Sequence, residues 1–155
     1  MAPRGVPSGW RIWSATSGSR RPRRPTSRVP GARLCSEREW ERAARGADER
    51  LYPWGDEIRP GDANVNTSSG GDLDQLGEDE VGSHPLDESP FGVFDLAGNA
   101  GEWVSDTLDA SQPDTPVARG GYWDTPTIGA RVSYRGVTNE PRDGLVGLRV
   151  CASPR

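Results

Sequence analysis

The chain has no lysine, one histidine, one methionine and two cysteines among 155 residues. Each scarcity removes a class of chemistry. Without lysine there is no phosphate loop of the GxxxxGK[ST] type. With His84 alone and no Cys-x-x-Cys, there is no histidine pair or thiolate cluster to hold zinc or iron. His84 sits in a Gly-Ser-His-Pro turn, where a lone histidine is expected to be exposed and idle rather than a general base. No stretch approaches the roughly 20 apolar residues that span a bilayer, and the N-terminus lacks the apolar run of a secretory signal. A soluble chain without a membrane partner is expected, and its compartment stays open. Cys35 and Cys151 stand near the two ends of the body; a disulfide and a reduced buried pair are both compatible with that spacing.

What is plentiful is glycine (20), proline (14) and charge, against 32% hydrophobic residues. That balance favours short strands and loops over long amphipathic helices, in one domain with a tail. All 19 basic residues are arginine, and eight of them precede the first acidic residue, Glu37. From Ser36 onward, 11 arginines face 23 acidic residues, a body that repels nucleic acid and welcomes cations. Residues 1–30, with their Arg, Pro, Ser and Gly bias, read as a disordered segment; a basic arm and an organelle transit peptide are the alternatives.

Ordered structure is expected from Gly31. Ser36 followed by Glu39 forms a capping box, Trp40, Ala43 and Ala44 share one helical face, and Gly46 ends the helix. From Asp56 to about Pro90 the chain shows no period and reads as a long loop, in which Gly77 to Glu80 is solvated charge. Strands are expected at Val93–Leu96, Glu102–Ser105, Val117–Trp123, Arg131–Tyr134 and Val146–Cys151. Between Asp95 and Glu102 two carboxylates flank a small-residue turn whose carbonyls can point inward, a candidate hard-cation site. Asn64 with Asp72 and Asp74 forms a second acidic and amide cluster.

Five blocks in order resemble the formylglycine-generating-enzyme/sulfatase-modifying-factor family. They are Gly31 to Gly46, Tyr52-Pro53-Trp54-Gly55-Asp56, Pro90 to Val104, Arg119-Gly120-Gly121-Tyr122-Trp123 and Gly147-Leu148-Arg149. The resemblance implies an irregular α+β fold related to C-type lectins, loop-rich with short antiparallel strands. It covers residues 31–155, with the N-terminal half of the family domain missing; marginal stability and a miscalled start are the corresponding expectations. It implies structural calcium at the Asp95 and Glu102 side chains with the Gly98 and Ala100 carbonyls. A second calcium is implied at Asn64 and the Val65 carbonyl, completed by Asp72 or Asp74.

The family's enzymes oxidise a sulfatase cysteine to formylglycine with copper held by two cysteines that follow the Arg-Gly-Gly motif. Here Tyr122 to Arg135 contains no cysteine, and the hydroxyls of Thr125 and Thr127 are too hard and too weakly acidic to replace a Cu(I)-binding thiolate pair. Copper is therefore not expected. The tryptophan that usually precedes the glutamate is replaced by Gly101. The expected function is a non-catalytic module that binds a protein partner or small ligand. An oxidoreductase or fragment of one, and a truncated product without independent function, are the alternatives.

Overall fold

A computed structural model describes residues 14–15, 31–66, 77–137 and 145–152. The helix forms where the sequence places it. α1 runs Glu37–Arg45; the Ser36 hydroxyl accepts from the Glu39 N–H at 3.3 Å, and the Glu39 carboxylate accepts from the Ser36 N–H at 2.9 Å. Two otherwise orphaned donors of the first turn are thereby satisfied. Trp40, Ala43 and Ala44 are its buried face.

The strands are β1 Ser14–Ala15, β2 Ala32–Leu34, β3 Gly101–Asp109, β4 Gln112–Arg119, β5 Gly136–Val137 and β6 Val146–Ala152. They form one sheet in the order β1-β6-β3-β4-β5, with β2 also paired to β6. The sheet is mixed rather than antiparallel throughout, because β3 and β6 run parallel, Gly101 to Trp103 facing Val146 to Leu148. β3 and β4 are a hairpin with Glu102 opposite Arg119. Two residues of the 1–30 segment, Ser14 and Ala15, lie in a strand on β6; the remaining residues of that segment lie outside the described residues.

Three expected strands differ. Val93–Leu96 is irregular, with a single bridge from Phe94 to Glu88, because Asp95 adopts a left-handed backbone (φ 57) that no extended strand tolerates. β4 stops at Arg119, where Gly120 and Gly121 turn the chain at positive φ. Arg131–Tyr134 follows a 3-10 helix, Thr127–Ala130, and continues as a turn; the Val132 N–H is taken by the Leu51 carbonyl.

α1 lies on one face of the sheet. Cys35, Trp40, Ala44, Leu96, Val104, Val117, Val132 and Cys151 form the main core. Within it the two cysteines are joined in a disulfide, with Cα atoms 4.9 Å apart, which resolves the pairing the spacing left open. A second, smaller cluster of Tyr52, Ala63, Val65, Ala97 and Ala130 sits under the loops. Among the described residues no helix is long and apolar enough to cross a membrane.

Candidate functional site

The turn from Asp95 to Glu102 is the junction between core and loops. Leu96 and Ala97 anchor it in the two hydrophobic clusters, while Asp95 and Asn99 stand at positive φ. Gly98 is required for a steric reason: a Cβ there would collide with the Asn64 carbonyl. That carbonyl accepts from the Asn99 N–H at 2.7 Å, and the Gly98 N–H donates to the Gly120 carbonyl at 2.7 Å. The structure therefore brings Asn64, Gly98 and Asn99 together with the Arg-Gly-Gly motif. Asp72 and Asp74 lie outside the described residues.

Glu102 is buried and heavily engaged. Its Oε2 accepts from Trp40 Nε1 at 2.7 Å and Arg149 Nε at 2.6 Å, and its Oε1 meets Arg149 at 2.6 Å. Arg149, also buried, further donates to the carbonyls of Phe94 and Asp95 at 3.1 Å each. One guanidinium thus ties β6 to β3 and to the start of the turn. Neither Arg149 nor Trp40 stood out as a functional residue in the sequence, since nothing local links them to a glutamate 47 and 62 positions away.

Whether these groups suit a hard cation depends on their free oxygens. Gly98 and Ala100 are buried, and their carbonyls accept no hydrogen bond among the described residues. Asp95 is buried and commits Oδ2 to the Gly82 N–H at 2.9 Å. Two unclaimed buried carbonyls and one carboxylate fit calcium's preference for mixed oxygen ligands. Glu102 fits less well, because its two oxygens already take three N–H donors. Among the described residues no group of three or more His, Cys, Asp or Glu gathers at a metal-binding distance, so a cation here would depend on carbonyls. At the second position the Asn64 Nδ2 donates to the Gly77 carbonyl at 2.8 Å and to Asn99 Oδ1 at 3.1 Å.

Asp87 is a further buried acid that no sequence motif marks. It is 1% exposed, its Oδ2 accepts from the Ala97 N–H at 3.0 Å and its Oδ1 has no partner. Burial pushes its pKa up to about 8. One other expectation is corrected: His84 is bonded at both ring nitrogens rather than exposed and idle. Its partner Asp79 and the neighbouring Glu80 are exposed, in keeping with the solvated-charge reading of that run.

The stretch after the Arg-Gly-Gly motif is closed by its own hydroxyl chemistry. Thr125 Oγ1 donates to the Tyr122 carbonyl at 2.8 Å and accepts from the Tyr122 N–H at 3.1 Å. The Tyr122 ring lies where a side chain at position 101 would begin, since a Cβ on Gly101 would overlap its edge. The glycine in place of the family's tryptophan is matched by a tyrosine filling that space. Arg119 of the motif is buried in the helix–sheet interface, where it bonds Glu37, Glu41 at 2.9 Å and the Val132 carbonyl, and stacks on Trp40 at 5.2 Å. Both cysteine sulfurs are committed to the Cys35–Cys151 disulfide.

An irregular α+β domain with a mixed sheet, a capped helix and a Gly-Asn turn is thus the class that fold and site define. The model of the sulfatase-modifying factor enzyme 1-like domain matches residues 15–154, and the chain belongs to that family. It is 34% identical over 134 residues to the inactive C-alpha-formylglycine-generating enzyme 2 of Bos taurus, covering 79% of this chain and 44% of the relative. It is 39% identical over 87 residues to the formylglycine-generating enzyme of Mycobacterium tuberculosis, covering 51% of this chain and 28% of that enzyme. Among solved structures, Treponema denticola variable protein 1 superposes with a TM-score of 0.68 at 24% identity, covering 79% of this chain and 48% of that one, a likeness of fold alone. The chain spans about half the length, or less, of these relatives.

Proposed function

We propose that this chain is a non-catalytic sulfatase-modifying-factor-like module that binds a protein partner or a small ligand on a C-type-lectin-like scaffold. The observation that carries the reading is the fate of sulfur. A Cu(I) centre needs a thiolate pair, the segment from Tyr122 to Arg135 contains no cysteine, and both cysteines are consumed in a buried disulfide. Similarity to a relative named as inactive supports it. Copper titration of the purified chain, with oxygen uptake measured on a cysteine-containing peptide, tests it: no uptake above the copper-only blank is expected, and turnover would overturn it.

Within the same proposal, calcium is held by the Gly98 and Ala100 carbonyls with Asp95, and with Glu102 as an outer partner through its pair with Arg149. A second ion rests on Asn64 and Val65, with Asp72 as its acid. Calcium supplies no chemistry there; it fixes the loops. Saturating calcium then raises the melting midpoint over that in chelator, by about 2.7 kcal/mol of stability at a hundredfold excess over Kd, and an unchanged midpoint rejects this part of the proposal.

A further inference from the structure

His84 stands where two loops meet. Its Nε2 lies 2.8 Å from Asp79 Oδ2 and its Nδ1 3.1 Å from the Gly61 carbonyl, and its side chain is only 15% exposed. An ionised carboxylate and a carbonyl are acceptors only. A neutral imidazole has one N–H and satisfies one of them, whereas the imidazolium has two and satisfies both. We propose that His84 is a proton-operated latch whose doubly protonated ring bonds Asp79 within the 77–84 loop and the Gly61 carbonyl across to the Gly61 turn, and whose deprotonation breaks one of those two bonds.

The latched loop is hooked at three further points to the Asp95–Glu102 turn and to Asn64 beside it. The Gly77 carbonyl accepts from Asn64 Nδ2 at 2.8 Å, the Asp79 N–H donates to Asn99 Oδ1 at 2.8 Å, and the Gly82 N–H donates to Asp95 Oδ2 at 2.9 Å. The proton on His84 therefore bears on how tightly this loop covers Asn64, Asp95 and Asn99, with or without a cation among them.

The electrostatics agree with the geometry. Burial alone would lower the imidazole pKa, but the hydrogen bonds to Asp79 and to the Gly61 carbonyl, with the charge of Asp79, outweigh it, and the net shift is upward from 6.5. Asp79, on the same loop, is the acid that touches the ring. Asp87 faces it at longer range, and the Gly61 turn presents a backbone carbonyl. A raised folded-state pKa means that the latch's stabilisation is complete below about pH 6.5 and is lost as pH rises through the folded value.

Because the chain has one histidine, its imidazole resonances report the latch directly. The full chain is titrated by NMR in chelator, so that no metal contributes. The expected result is an apparent pKa above 6.5 that falls in Asp79→Asn, with the amides of Asp79 and Gly82 losing exchange protection as the ring deprotonates. A wild-type value at or below 6.5, or one that Asp79→Asn leaves in place, would overturn the proposal. The melting-temperature gap between wild type and His84→Gln is expected to be large at pH 5.5 and to close by pH 8.5. A gap constant over that range marks a merely structural histidine and equally overturns the latch.

Discussion

The helix–sheet half and the loop half of this molecule are held together by different means. Around α1, long-range covalent and charged contacts dominate: the Cys35–Cys151 bridge, the Arg149–Glu102–Trp40 triad, and Glu37 shared between Arg119 and Arg135. Between residues 50 and 99 the ties are backbone turns and small polar side chains, with Asn64, Asn99, Asp87 and His84 each bonding main-chain groups of another segment. The first kind of contact is strong when intact and costly when one partner is lost. The second is made of many single hydrogen bonds, each worth about 1 kcal/mol net. A fold with few buried apolar residues thus has one half that fails abruptly and one that loosens by degrees.

The largest effect should come from breaking the buried pair. Arg149→Ala leaves Glu102 as a buried charge facing only Trp40, and a loss of about 3–5 kcal/mol is expected in chemical denaturation; a loss under 1 kcal/mol would erase the contrast between the halves. On the loop side, Asp87→Asn should stabilise, and in a pH-dependent way. Asp87 has a folded pKa near 8 against 3.8 for the ordinary carboxylate, so the folded state binds the extra proton and stability falls as pH rises between those values. Asparagine keeps an oxygen for the Ala97 N–H and has no charge to bury. Its advantage over wild type should therefore grow from pH 4 to pH 8 in parallel thermal melts, and a flat difference counts against the buried acid. The smallest effect is expected at the helix cap, where Ser36→Ala removes one of the two capping bonds and should cost about 1 kcal/mol, read as a parallel shift of the same melts.

Legibility in the sequence followed the range of the interactions. α1 was readable to the residue because its signals, Ser36, Glu39, the Trp40 and Ala44 spacing and Gly46, act within one or two turns. The Asp95–Glu102 segment was recognisable as a turn by its small residues, and positive φ at Asp95, Gly98 and Asn99 makes it one. What Glu102 does was not readable, because Arg149 and Trp40 reach it only through tertiary structure. Val93–Leu96 looked like a strand by composition and fails as one through the backbone angle at Asp95, which composition does not encode. The role of His84 was hidden for the same reason: one partner is five residues away and the other twenty-three.

The disulfide closes a covalent ring with a sequence separation of 116 residues between its ends. Every loop from the helix to the last strand lies inside that ring. A protease that cuts once anywhere within it opens the ring without parting the fragments, so nicked chains remain one molecule until a reductant reaches two sulfurs that the core keeps out of solvent.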